Sequence, residues 1–154
     1  MEHNLSLSYG KDSLACLGAI EELEWPLDRI IHAEVWATDT IPADLPPMVE
    51  FKAKADKWIK DRYGIEVEHL RAKQTYEWQF YQHAKCNEKR KRDGIEPIYG
   101  FPMVKGAWCN SRLKMPPLNN GIKDAIKYIG IAVDETNRLH NLSDTKRSPL
   151  VEAG

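Results

Sequence analysis

Residues 4–23 read Asn-Leu-Ser-Leu-Ser-Tyr-Gly-Lys-Asp-Ser-Leu-Ala-Cys-Leu-Gly-Ala-Ile-Glu-Glu-Leu, and the apolar period changes partway along. Leu5 and Leu7 alternate as the apolar side chains of a strand over Asn4–Ser8. Leu14, Leu17, Ile20 and Leu23 then recur at helical spacing. Between them Ser8-Tyr9-Gly10-Lys11-Asp12-Ser13 turns the chain, and Asp12-Ser13 can cap the helix. Such a turn aims several backbone N–H groups from a helix N-terminus, where they can bind an anion. Gly10 permits close backbone approach, Lys11 adds a point charge, and Ser8 and Ser13 add hydroxyls. The G-x-x-x-x-G-K-[ST] spacing of a Walker A loop is absent. On spacing alone, an ordinary capped turn accounts for these residues as well as a phosphate loop does.

Outward from this unit the pattern repeats. Arg29–Trp36 reads as a second strand, and residues 37–47, with Pro42, Pro46 and Pro47, as a loop. Met48–Tyr63 reads as a helix striped by Phe51, Ala55, Trp58, Ile59 and Tyr63, stopped by Gly64. Ile65–Leu70 reads as a third strand and Tyr76–Arg92 as one helix with a basic end. Pro97–Asn110 reads as a loop, Lys123–Ile126 as the close of a short helix and Lys127–Val133 as a fourth strand. Residues 143–154 lack periodicity and read as a loose tail on a domain of residues 1–142. Alternating strands and helices predict an α/β fold with a parallel sheet covered on both faces. Ligands of such sheets bind at the carboxyl ends of the strands. Loops 8–13, 37–47, 71–76 and 134–138 are therefore the ones that matter.

Composition sets the outer bounds. The chain has 154 residues, 42% hydrophobic and 29% charged, which is globular. Lys plus Arg is 22 against 23 Asp plus Glu, a formal net charge of -1. That balance gives no general argument for nucleic acid as a partner. The run Lys89-Arg90-Lys91-Arg92 reads first as a solvated helix end suited to the helix dipole, with a phosphate-rich partner the minority reading. No apolar run is long enough to span a membrane, and Met1-Glu2-His3-Asn4 does not open a secretory signal, so a cytoplasmic protein is expected. Cys16, Cys86 and Cys109 are dispersed, without C-x-x-C spacing, so neither a disulfide framework nor an iron–sulfur cluster is expected. His32 reads as a core or edge residue of its strand.

Ser8-Tyr9-Gly10-Lys11-Asp12-Ser13 resembles the S-G-G-K-D-S pyrophosphate loop (PP-loop) of the adenine nucleotide alpha-hydrolase-like superfamily. Further segments resemble one branch, the phosphoadenosine phosphosulfate reductase family, in that family's order. Asp39-Thr40 lies where the family has Asp-Thr-Gly. Tyr99-Gly100-Phe101-Pro102, Trp108-Cys109 and Leu113-Lys114 are similar to its Y-G-W-P, W-C and L-K segments. Gly130-Ile131, Asp134-Glu135 and Arg138 are similar to G-[IL]-R-x-D-E-S-x-R. The resemblance implies a Rossmann-like fold that ends short of the family pattern. It also implies a site for ATP or another adenine nucleotide, with chemistry at the α-phosphate of ATP or on an adenylylated sulfate. Ser8, Gly10, Lys11, Asp12 and Ser13 would surround the phosphates. Asp39 would sit near the nucleotide or a magnesium ion, Arg112, Lys114 and Arg138 would meet phosphate or sulfate, and Gly130 would let the fourth strand approach the adenine. Lys11, Asp12 and Arg138 would carry the catalytic charge, and a homo-oligomer is the expected assembly.

Three departures qualify that expectation. Tyr9 replaces the first loop glycine and would narrow or close the phosphate pocket. Ile41 replaces the glycine of Asp-Thr-Gly, and Ala132 stands where the family often carries Arg. The alternative is a catalytically inactive module that keeps the fold and binds a nucleotide or a protein. No cysteine follows Arg138, so reduction of phosphoadenosine phosphosulfate by this chain alone is not expected.

Overall fold

The computed structural model describes residues 1–103, 107–119 and 124–154. Five parallel strands form its sheet among these residues, in the order β3-β2-β1-β4-β5: β1 Glu2–Ser6, β2 Arg29–Glu34, β3 Val67–Arg71, β4 Ala125–Tyr128 and β5 Lys146–Arg147. The α/β expectation holds at this level. The chain first steps outward from β1 to β2 and β3, then returns to the other side of β1. The order therefore switches at β1, the place where parallel sheets leave a crevice at their carboxyl ends.

Helix α1 (Lys11–Glu22) joins β1 to β2, and α2 (Pro46–Tyr63) joins β2 to β3. Cys16, Leu17 and Ile20 of α1 and Ile59 of α2 pack with Leu5, Leu7, Ile30 and Tyr128 of the sheet in one core. Each fully buried aliphatic side chain contributes roughly 1.5–3 kcal/mol. Ile31, one residue out of phase with Ile30, faces the other side, where a π-helical segment (Asn110–Lys114) and α5 (Met115–Asn119) lie against β2. The buried stripe of α2 is narrower than its apolar pattern suggests. Phe51 and Trp58 are exposed, whereas Lys52 and Ile59 are buried. Among the described residues no helix is long and apolar enough to cross a membrane.

Three segments differ from the expectations. Residues 76–92 form two short helices, α3 (Tyr76–Phe80) and α4 (Glu88–Arg92), each capped by its own side chain, Thr75 and Asn87. Between and after them the chain doubles back: Ala84 N–H donates to the Pro97 carbonyl at 2.8 Å and Tyr99 N–H to that of Gln82 at 2.9 Å. Pairing with β1 from Glu2↔Ala125 to Leu5↔Tyr128 draws the fourth strand forward, so Ala125 and Ile126 are strand and residues 129–133 are not. Lys123 lies outside the described residues.

The third difference is the tail. Residues 143–154 supply β5 and α7 (Pro149–Ala153), which packs on α1. The Arg147 guanidinium lies 3.8 Å from the Trp25 ring centroid, and Trp25 stacks on Tyr128 at 5.2 Å. α6 (Thr136–Leu139) precedes this segment. Ser148 Oγ, fully buried, donates to the Ile131 carbonyl at 2.7 Å. Ser148→Ala would strand that carbonyl, so urea denaturation should show a loss of about 1–3 kcal/mol. A variant as stable as the parent would mean that the tail does not hold the Ile131 loop in place.

Candidate functional site

The β1–α1 turn is tied by one hydroxyl. Ser13 Oγ, buried in the first turn of α1, accepts from Ser8 N–H at 3.1 Å and Ser8 Oγ at 3.0 Å, and donates to the Gly10 carbonyl at 3.0 Å. Its one proton and two lone pairs are all used. Gly10 is extended and stands at the N-cap of α1, and Lys11 projects from the exposed first turn. Gly130, just past β4, lies against this turn. A Cβ there would sit 2.9 Å from Ser13 N and 3.0 Å from the Asp12 carbonyl carbon, so no larger residue fits without moving the loop.

Tyr9 occupies the left-handed region at φ 59°, the conformation that favours the glycine of the resembled motif. Its side chain is buried, 4% exposed. The ring meets His32 edge-on at 4.8 Å, and the hydroxyl donates to Asp56 of α2. His69 of β3 bridges Asp56 and Glu34, at 2.8 Å to each. Burial, then the Asp56 carboxylate, pushes the Tyr9 hydroxyl far above its ordinary range. Burial also raises Glu34, but the Trp36 indole N–H at 3.0 Å and His69 outweigh it and hold the carboxyl below the usual value. Tyr9 does not itself line the cavity beside the turn, but its ring packs against His32 and lies 5.3 Å from the Lys52 ammonium, both of which do.

That cavity, about 400 Å³, opens at the carboxyl ends of β1 and β2. Its polar lining includes Ser8, His32, Asp44, Lys52, Asn110 and Lys114, and Tyr76, Met48 and Leu118 supply apolar surface. Lys52 is the residue that motif reasoning passes over. Its ammonium donates to Asp44 and, at 2.8 Å, to His32 Nε2, while His32 Nδ1–H donates to the Leu7 carbonyl at 2.8 Å. The available signal is a lysine in helical phase with Ala55 and Ile59, and a histidine in strand phase with Ile30.

The remaining expected residues fall in three places. Lys114 joins Ser8 at the cavity. Arg138, at the end of the 134–138 turn, is held by Glu135 at 2.8 and 3.0 Å, and Glu135 also accepts from Ala132 N–H at 3.2 Å. Arg138, then that N–H, keep the Glu135 carboxyl below its ordinary range, with Lys11 adding to the effect. Lys11, Glu135 and Arg138 therefore share one electrostatic neighbourhood. Asp39 instead lies beside Trp36, Arg71 and Lys73, and Arg112 lines a separate groove with Tyr99. Among the described residues no three His, Cys, Asp or Glu side chains group closely enough to hold a metal ion. No family model, curated protein or solved structure matches this chain.

Burial, with Lys52 beside it, holds His32 below its ordinary value despite the Leu7 carbonyl. The folded state resists protonation while the unfolded state takes up a proton below pH about 6.5. Stability should therefore fall as pH drops through that value toward the depressed folded one. His32→Gln should flatten this slope in urea titrations at pH 7.5, 6.5 and 5.5. An unchanged slope would remove His32 from the account.

Proposed function

We propose that this chain is an adenine-nucleotide-binding protein of the PP-loop type, similar to the phosphoadenosine phosphosulfate reductase family. The observation that carries the reading is the Ser13-tied turn between β1 and a twelve-residue helix, closed from above by Gly130. The backbone N–H groups at the start of α1, with Lys11, form an anion cradle. The adjoining cavity of about 400 Å³ suits a nucleotide-sized ligand and mixes cations with apolar walls. Phosphates at the turn would leave the adenine to the cavity at the carboxyl ends of β1 and β2.

In this reading the chain's own groups act by fixed charge. Loop N–H groups and Lys11 would stabilise charge growing on the α-phosphate of ATP or on the phosphate of an adenylylated sulfate. Arg138 would join them by exchanging Glu135 for the ligand. Magnesium accompanying ATP would be held chiefly by the phosphates, with Asp12 the carboxylate that the loop offers. The second reading, nucleotide binding without turnover, is favoured by the Arg138–Glu135 pair. That pair occupies the arginine, and Ala132 offers no second cation beside it.

The experiment is a thermal-shift and calorimetric screen of ATP, AMP, adenylyl sulfate and phosphoadenosine phosphosulfate, with and without magnesium. A ligand of the folded state raises the melting temperature. Lys11→Ala should weaken binding by about 1–3 kcal/mol, the loss of one charged hydrogen bond. Equal affinity in parent and variant, or no shift with any of the four, would end the proposal. AMP release from ATP separates the enzyme from the module.

A further inference from the structure

The groove that takes Arg112 away from the phosphate loop has a chemistry of its own. It measures about 410 Å³ and is lined by Gln74, Trp78, Gln79, Gln82, Tyr99 and Arg112, among others. Gln79 decides how it reads. The residue is only 5% exposed and lines the groove. On the groove wall this amide offers a ligand one donor group and one acceptor. Around it stand flat surfaces. Trp78 is half-exposed, and the Arg112 guanidinium lies 6.0 Å from the Tyr99 ring centroid with Nη2 3.5 Å from its hydroxyl. Gln82 is held in place by donating its Nε2 to the Trp78 carbonyl at 2.8 Å.

A nucleobase combines these two demands, a π-face for stacking and an edge that pairs a donor with an acceptor. The base would have to be unstacked, as in a single strand. A second feature, in a different element, adds the phosphate half. Gln82 and Tyr99 line the groove and are hydrogen-bonded to each other, and the chain between them is a doubled-back arm with α4 near its tip. Residues 83–98 carry five cations against three carboxylates in a chain whose net charge is -1. Lys89, Arg90, Lys91 and Arg92 are all exposed, and of these only Lys91 has an ion-pair partner among the described residues, Glu88 at 2.9 Å.

We propose that this arm and groove bind single-stranded nucleic acid, one base stacking in the groove by Trp78 and meeting Gln79, and the backbone phosphates following α4. The site is separate from the phosphate loop and does not depend on nucleotide binding there. The charge on α4 supplies sequence-independent affinity and the groove supplies the preference for unpaired bases.

Fluorescence anisotropy with labelled 12-nucleotide RNA and DNA of mixed sequence, each as single strand and as duplex, tests this at several salt concentrations. Single strands should bind more tightly than duplexes, and the RNA-to-DNA ratio tells which strand is read. Trp78→Ala, at a half-exposed position, should weaken single-strand binding about tenfold. Gln79→Leu, which keeps the buried bulk, should narrow the preference for single strands over duplexes. Replacing Lys89, Arg90 and Arg92 together by Ala should flatten the log–log salt slope by about 2. No binding at low salt, equal binding of duplexes, or single-strand affinity unchanged by Trp78→Ala in a variant of parental melting temperature would overturn the proposal.

Discussion

The Ser13 hydroxyl is the contact on which the carboxyl edge of the sheet depends. It gathers Ser8 N–H, Ser8 Oγ and the Gly10 carbonyl within 3.1 Å, converting a six-residue turn into one rigid shape. That shape sets how closely β4 can pass, because Gly130 meets the backbone of Asp12 and Ser13 at distances no Cβ could tolerate. The position of β4 then fixes Ile131, whose carbonyl takes the Ser148 hydroxyl, and so the docking of α7 on α1. A local hydrogen-bond knot at the first turn is thereby linked to the last helix.

The left-handed backbone at Tyr9 shows how a residue other than glycine survives in such a turn. That conformation costs an L-residue roughly 1–2 kcal/mol. The side chain offsets it by burying its ring against His32 and giving its hydroxyl to Asp56. The compensation extends further than one bond, since Asp56, His69 and Glu34 continue the chain of contacts to β2 and β3. The tyrosine thus anchors the loop to α2.

Which parts of this were legible from residues alone follows the range of the forces involved. The β1–α1 unit is readable because alternation, turn and helical phase lie within twenty consecutive residues. The sheet class follows from their repetition. The extent of β4 is not readable, because Ala125–Tyr128 becomes strand by pairing with Glu2–Leu5, more than a hundred residues away. The tail is similar: Lys146 and Arg147 have no strand pattern and are strand only beside β4. At the site, Ser8, Lys11 and Ser13 are legible as one motif. Lys52 is not, because its meaning comes from Asp44 and His32, contributed by two other segments. The split of Arg112 from Lys114 is also hidden, since they stand two residues apart in sequence.

That split has a structural origin in the backbone between Asn110 and Lys114. The segment is π-helical, a geometry wider than the α-helix and concentrated at functional positions in proteins. About one π-turn separates Asn110 from Lys114, and both line the cavity beside the β1–α1 turn. Ser111 and Arg112, in between, line the groove with Trp78 and Gln79. Leu113 is buried and pins the segment. One short stretch of chain thus forms a wall shared by two cavities of similar size.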